Sequence, residues 1–487
     1  MGDLRGCLDD FKLLAMDSIN PCLKTMEYAV RGPLVMRALE IEKELKMGVK
    51  KPFNEVIKTN IGDCQAMGQV PITFIRQVLA LVVYPPLLND PNFPEDAKSR
   101  ARAILSNCQS GTVGSYSESV GIEMIRKHVA EYIERRDGIP SNYDDIILFA
   151  GASDAVKAMI KLFICKSNGK RTGVMVPVPQ YPLFSATIAE FKLHQVDYYL
   201  DENNYWSLNI SELQRAIYEG RKVSNPRVMV VINPGNPSGQ VLKKENIKEI
   251  VKFAYQERLV IFADEVYEDN VYSDDCKFHS FRKVMAEMGS PYNKMELASF
   301  MTCSKGYIGE CGLRGGYVEV LNFDPDVKSV LIKSISSVQC PTVIGQTVLE
   351  VVVNPPKIGE ESYEKFTLEK ETILESLSIR ARIVSEALNS IKGMSCNPIQ
   401  GAMFAYPLVE IPHKAVLKAK SLGQTPDTFY AFELLEATGI CVVPGCGFGQ
   451  KPGTYHFRIT ILPPLDTLNI VLKNLKDFHE KFLEEYQ

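Results

Sequence analysis

Five short apolar runs, each broken off by a polar or glycine-bearing turn, limit the folds open to this chain more than any other feature. They are "DIILFA" before Gly151, "GVMVPV" before Pro179, "RVMVVI" before Asn233, "RLVIFA" before Asp264 and "ELASFMT" ahead of Ser304. A strand with one wet face alternates apolar and polar residues, whereas these runs are nearly continuous in apolar residues. Continuous apolar strands separated by helical stretches predict a mostly parallel sheet covered on both faces, an α/β architecture. In such sheets ligands gather at the carboxyl ends of the strands, where each run hands over to polar groups.

The pattern changes after "VVVNPP". A long charged helix follows, with Ile373, Leu377, Ala381, Val384 and Leu388 on one side, and then an alternating strand "YHFRITIL". Upstream, "GPLVMRALEIEKELKMG" reads as a surface helix, with Pro33 in its first turn, Gly48 at its end, and Leu34, Ala38, Ile41 and Leu45 on one face. These shifts divide the 487 residues into an N-terminal arm and helix (1–75), a large ligand-binding domain (76–355) and a smaller α+β domain (356–487). The N-terminal helix has no sheet of its own and is expected to pack with the small domain.

Several function classes are set aside. The net charge of −4 opposes a nucleic-acid footprint. No apolar run is long enough to span a bilayer. The opening "MGDLRGCLDDFK" lacks the apolar segment of a signal peptide and carries three aspartates, and the ending "EEYQ" is no peroxisomal signal. A cytoplasmic location is expected, or a mitochondrial one if a presequence has been removed. Twelve scattered cysteines without a C-x-x-C pair point to reduced thiols, and six unclustered histidines without H-E-x-x-H leave no metal site expected.

The chemistry is concentrated at the strand ends. "GASDA" opens a helix whose N-terminus suits an anion, and Ser153 either serves that site or caps the helix. Tyr181 stands between prolines in "PQYPLF", as a core residue or a fixed aromatic plate. In "INPGNPSGQ", Asn233 and Asn236 either brace the turn or turn one amide inward. Asp264 ends a buried strand, where a carboxylate needs a partner unless it caps a following helix, and Tyr267 lies three residues on. Lys305 follows the last run in "TCSKGYIGECGLRGGY". The order is wrong for a nucleotide P-loop, in which the glycines precede the lysine. An ammonium at a buried strand end is costly, and a Schiff base removes that cost. Arg314 offers a planar fork for a phosphate, and Thr302 and Ser304 are hydroxyls beside the lysine. An anion site, an aromatic plate, an amide, a phenol, a carboxylate, a lysine and an arginine together match the needs of pyridoxal 5'-phosphate.

The motifs "GASDA", "PQYPLF", "NPGNPSG", "ADEVY", "SKGYIGECGLRGGY" and "FRITIL", in that order, resemble those of the fold-type I, class I/II pyridoxal-phosphate-dependent aminotransferases. "YAVRGPLVMRALEIEKEL", "NIGDCQAMGQVPITFIRQVLAL" and "GFGQKPGTYHFRITILPP" are similar to the branch acting on alanine. The resemblance implies reversible amino transfer between L-alanine and 2-oxoglutarate, giving pyruvate and L-glutamate. It implies Lys305 as the catalytic Schiff-base lysine, Asp264 at the pyridine nitrogen, Tyr267 and Asn236 at the ring hydroxyl, and Tyr181 stacked on the ring. It implies Ala152, Ser153, Arg314 and Thr302 or Ser304 at the phosphate. Arg458 is implied at the substrate α-carboxylate, with the backbone of Gly62 nearby. "GSYSESVG" matches the segment whose tyrosine, Tyr116, reaches the partner subunit's phosphate, which implies a homodimer. Two positions depart from the pattern: Ala150 where a hydroxyl residue is expected, and Cys303 where serine or threonine is expected. The glycine loop "PGCGFG" lacks a following helix and reads as a structural turn. The competing readings are a glutamate:glyoxylate aminotransferase, a lyase on the same fold and a non-catalytic cofactor-binding regulator.

Overall fold

The computed structural model describes residues 14–28 and 32–487, so the segment around Cys7 and residues 29–31 of the N-terminal motif lie outside the described residues. Seven strands build the main sheet: β1 (Ile146–Phe149), β2 (Lys170–Val178), β3 (His194–Tyr199), β4 (Ser224–Ile232), β5 (Val260–Asp264), β6 (Leu297–Thr302) and β7 (Gly316–Leu321). A short strand, Lys166–Ser167, forms a hairpin with β2. The spatial order is β1-β7-β6-β5-β4-β2-β3. The apolar runs are buried on both faces, as period-two alternation shows. Val228, Val230, Ile232 and Phe262 join one apolar cluster with helix Ala152–Lys161, while Met229, Val231, Ile261 and Ala263 join another with helix Lys244–Glu257.

The five strands read from the sequence all run in one direction, but two neighbours were not foreseen. Strand β3 pairs parallel with β2. Strand β7 runs antiparallel between β6 and β1, with Thr302 opposite Gly316. The chain reverses directly from β6 into β7, so the lysine–arginine segment is the tight link between adjacent strands. Six strands, β1 to β6, therefore end at one edge of the sheet while Lys305 and Arg314 emerge from the turn beside them.

The C-terminal part contains helix Tyr363–Asn389 and a three-stranded antiparallel sheet of β8 (Phe404–Ala405), β9 (Val443–Pro444) and β10 (Phe457–Thr460), with β10 in the middle. Leu377, Ala381, Val384 and Leu388 are buried along the long helix. Helix Pro33–Lys46 puts Leu34, Ala38 and Ile41 into the same apolar cluster as Leu434, Leu435 and Ile440. Ile57–Lys58 then pairs parallel with Ile440–Cys441, and Arg37 bonds Glu436 at 2.5 Å. These contacts carry the chain from the small sheet to the loop 59–63, which reaches the edge of the large one.

Candidate active site

A cavity of about 500 Å³ opens where the strand ends of the large sheet face β8 and β10. Its lining includes Gly62, Ala152, Ser153, Tyr181, Asn236, Asp264, Tyr267, Thr302, Ser304, Lys305, Arg314 and Arg458. Residues from nearly four hundred positions of sequence thus share one cleft. Tyr116 is not among the lining residues; it is 69 % exposed on the surface of its own chain, beside Ser117, Lys127 and His128.

At one end, helix Ala152–Lys161 points its N-terminus into the cavity. Its N-cap is Gly151, and no side chain caps it, so Ser153 is a first-turn residue rather than a cap. The first-turn N–H groups and the dipole favour an anion there. Arg314 flanks the same end in a left-handed conformation, φ 57°. Its guanidinium donates to the Ala150 carbonyl at 2.9 Å and the Cys311 carbonyl at 3.1 Å, with Ser304 Oγ at 3.4 Å. Gly151 has φ +86°, and a Cβ on it would come within 2.6 Å of Arg314 Nη2. At Ala150 the backbone carbonyl makes the contact, which accounts for the tolerance of alanine there. Cys303 is buried in the apolar cluster beneath the loop and does not line the cavity.

In the middle lie Asp264 and Lys305. No helix follows Asp264, which rules out the capping alternative. Its Oδ1 is buried without a hydrogen-bond partner among the described residues. Burial pushes its carboxyl up to about 7, against the pull of the Val266 N–H and the Lys305 charge. Lys305 Nζ donates to the Gly62 carbonyl at 2.6 Å. Burial also raises the phenols of Tyr181 and Tyr267, keeping both as neutral hydroxyls. Tyr181 shares a 2.9 Å hydroxyl–hydroxyl bond with Tyr28. Asn233 accepts from the Leu242 N–H at 2.8 Å and braces its turn, leaving Asn236 as the inward amide.

The far end is Arg458, only 2 % exposed. The strand's alternation does separate it from Phe457 and Ile459, but both faces are buried. Its guanidinium donates to Asn236 Oδ1 at 3.1 Å and the Asn60 carbonyl at 2.6 Å, while Nε has no partner among the described residues. The rings of Phe404 and Phe448 lie 4.0 and 4.8 Å from its central carbon. Burial lowers its pKa to about 10, offset in part by the surrounding tyrosines. A cation desolvated and half-paired in this way is poised for an anion.

Four contributors escaped the sequence reading: Tyr28, Asn60, Phe404 and Phe448. The first two act from the N-terminal segment, and Phe448 comes from the glycine loop read as a plain turn. Tyr28 sits in a motif quoted for its resemblance, but nothing in its spacing signalled the cavity.

The class I and II aminotransferase family matches residues 85–475. Alanine aminotransferase 2 from Xenopus laevis is 56% identical over 477 residues, covering 98% of this chain and 88% of its own. Alanine aminotransferase 1 from Homo sapiens is 54% identical over 477 residues, covering 98% and 96%. Among solved structures, an alanine aminotransferase from Pyrococcus furiosus has a TM-score of 0.74 at 21% identity, covering 95% of this chain and 100% of its own. That likeness establishes the fold.

Proposed function

From the premise that the chain belongs to the class I and II aminotransferases, we infer that it catalyses reversible amino transfer between L-alanine and 2-oxoglutarate. The products are pyruvate and L-glutamate. The observation that carries this reading is identity above half, over nearly the whole chain, to alanine aminotransferases.

Class I and II aminotransferases depend on pyridoxal phosphate. The lining fits that group: an uncapped helix N-terminus beside Arg314 suits its phosphate, and the unpartnered Asp264 Oδ1 suits its ring nitrogen. When bound, it supplies an aldehyde that condenses with amines and a ring that withdraws electrons from the substrate α-carbon. Ala152, Ser153, Thr302, Ser304 and Arg314 would hold the phosphate. Tyr181 would cover the ring, with Tyr267 and Asn236 at its hydroxyl. Asp264 would hold a proton on the ring nitrogen, and that pairing offsets the cost of its burial. Arg458 and the Gly62 backbone would orient the substrate α-carboxylate. Lys305 Nζ, as a free amine, takes the α-proton as general base and keeps it for redelivery. Phe404 and Phe448 exclude water from the Arg458 guanidinium, which strengthens its grip on a carboxylate.

Residues 1–75, 76–355 and 356–487 are taken as arm, cofactor-binding domain and small domain. The exposure of Tyr116 supports a homodimer in which it reaches the neighbouring site. Among the described residues no helix is long and apolar enough to cross a membrane; a cytoplasmic location is proposed. The test of function is optical and kinetic. The purified protein should be yellow, lose that colour with L-alanine and regain it with 2-oxoglutarate. Equal or faster turnover with glyoxylate than with pyruvate as acceptor would point to the glyoxylate enzyme, and ammonia release without an acceptor to a lyase. A Lys305→Ala protein exchanging amino groups at the wild-type rate would sink the assignment.

A further inference from the structure

The loop after β3 holds two consecutive non-glycine residues in the left-handed region, Tyr205 at φ 52° and Trp206 at φ 57°. Strain of this kind persists where the surroundings over-determine it. Here the surroundings belong to the small sheet. The Trp206 ring lies 5.8 Å from both Tyr406 and His456, and those two rings stack at 4.7 Å and 2°. In the same loop the Glu202 carboxylate meets His456 Nε2 at 3.1 and 3.2 Å. The Glu202 carbonyl also accepts from Asn397 Nδ2 at 2.8 Å. On its other side, His456 Nδ1 faces Gln450 Oε1 at 3.2 Å, and that oxygen also accepts the His456 N–H at 3.1 Å. The imidazole is thus fixed at both nitrogens and on one face.

The position of this cluster matters because side chains two apart on a strand share a face. His456 is two residues before Arg458, and Tyr406 is two residues after Phe404, whose ring lies under the Arg458 guanidinium. Tyr406 also packs edge-on against Phe448, the second ring under Arg458, at 5.8 Å. The contacts run unbroken from Glu202 through His456 and Tyr406 to Phe448 and Arg458. Glu202 touches no residue proposed to meet the cofactor.

We propose that Glu202 and His456, with Trp206 and Tyr406, are a clasp that fixes the small sheet against the large domain and so positions Arg458 for the substrate carboxylate. Glu202 and His456 are positioning residues, not catalytic ones. This rests on the reading of Arg458 as the carboxylate site. The α-carboxylate is common to every amino and oxo acid the enzyme takes, so loosening the clasp penalises all of them alike.

The test uses the holoenzyme. Glu202→Ala raises KM for L-alanine, L-glutamate, pyruvate and 2-oxoglutarate by one common factor of about tenfold, as a misplaced binding group does. The inhibition constant of propionate, which carries only the carboxylate, rises by the same factor. The cofactor's absorbance and affinity do not change, and kcat stays near wild type. Glu202→Gln keeps an oxygen facing His456 and remains within about twofold of wild type on every constant. Should Glu202→Ala give no folded protein, Glu202→Asp, which withdraws the oxygens from His456, shows the same KM rise. Unchanged KM values, a loss confined to kcat or cofactor affinity, or a Gln variant as impaired as the Ala variant overturns the clasp. Arg458→Lys is measured alongside: if propionate inhibits it as well as wild type, the Arg458 reading itself fails, whatever Glu202 does.

Discussion

Lys305 Nζ and the Gly62 carbonyl oxygen are 2.6 Å apart, a bond that ties the end of β6 to a loop 243 positions upstream. That loop is held on its other side by the Asn60 carbonyl, which accepts from Arg458. One short stretch, residues 60–62, therefore contacts both the lysine proposed to move the proton and the arginine proposed to hold the carboxylate.

Gly62→Ala tests that arrangement. A Cβ there would stand 2.7 Å from Phe404 Cζ and 3.0 Å from Lys305 Nζ. Relief has to move the ring that supports Arg458, the lysine, or the loop. Displacements of this size cost on the order of a hundredfold in kcat/KM when they disturb reacting groups. The expected result is that loss, with the melting temperature little changed. A variant with wild-type kcat/KM would show that the close approach is dispensable.

Asp264 predicts a pH dependence in the cofactor-stripped protein. Burial pushes the folded Asp264 carboxyl up to about 7, from the ordinary 3.8 of an aspartate. The stability this contributes is fully present below about 3.8 and is lost as pH rises through about 7, by an amount on the order of 4 kcal/mol. Asp264→Asn has no such titration. Urea unfolding should show wild type losing ground to the variant between pH 4 and 8, and a constant difference would refute this. On the proposed pairing of Asp264 with the ring nitrogen, added pyridoxal phosphate at pH 8 should stabilise wild type more than the variant.

Gly151→Ala acts at the anion end. The residue has φ +86°, and its Cβ would meet Arg314 Nη2 at 2.6 Å. Backbone strain of about 1–3 kcal/mol combines with displacement of the guanidinium. Cofactor affinity, followed by absorbance titration, should fall about tenfold or more, while kcat at saturating cofactor changes less. A loss of kcat with unchanged cofactor affinity would place Arg314 in some other role.

The sequence read the large sheet well because its strands are apolar on both faces, and that leaves an unbroken signal. It missed β7, whose "GGYVEVL" carries Glu319, a charged residue that conceals a buried strand until its partner Arg282 is seen 2.9 Å away. Residues named from the strand ends meet in one cavity because such sheets gather their carboxyl ends; of those named from family order, Gly62 and Arg458 reach it from the N-terminal loop and the small sheet, and Tyr116 does not line it. Phe404, Phe448 and Tyr28 were not legible. Each is an ordinary aromatic in its own segment and acquires its place from packing between segments far apart in sequence.

The same buried pair supplies a stability prediction. Arg282 and Glu319 are both buried, and Glu319 keeps only the Ser141 hydroxyl, at 2.9 Å, if the guanidinium is removed. Burial already raises the Glu319 carboxyl, and Arg282 is the first group opposing that rise. Arg282→Met leaves an uncompensated buried carboxylate, which costs about 3–5 kcal/mol. Because a raised carboxyl favours the fold only while protonated, the cost is largest at pH 8 and shrinks as pH falls toward 5. The double variant Arg282→Met, Glu319→Gln removes the charge and should recover most of the loss at pH 8. Urea unfolding at the two pH values checks both statements. A single variant equally destabilised at pH 5 and pH 8 would mean that lost packing, not the stranded charge, accounts for the effect.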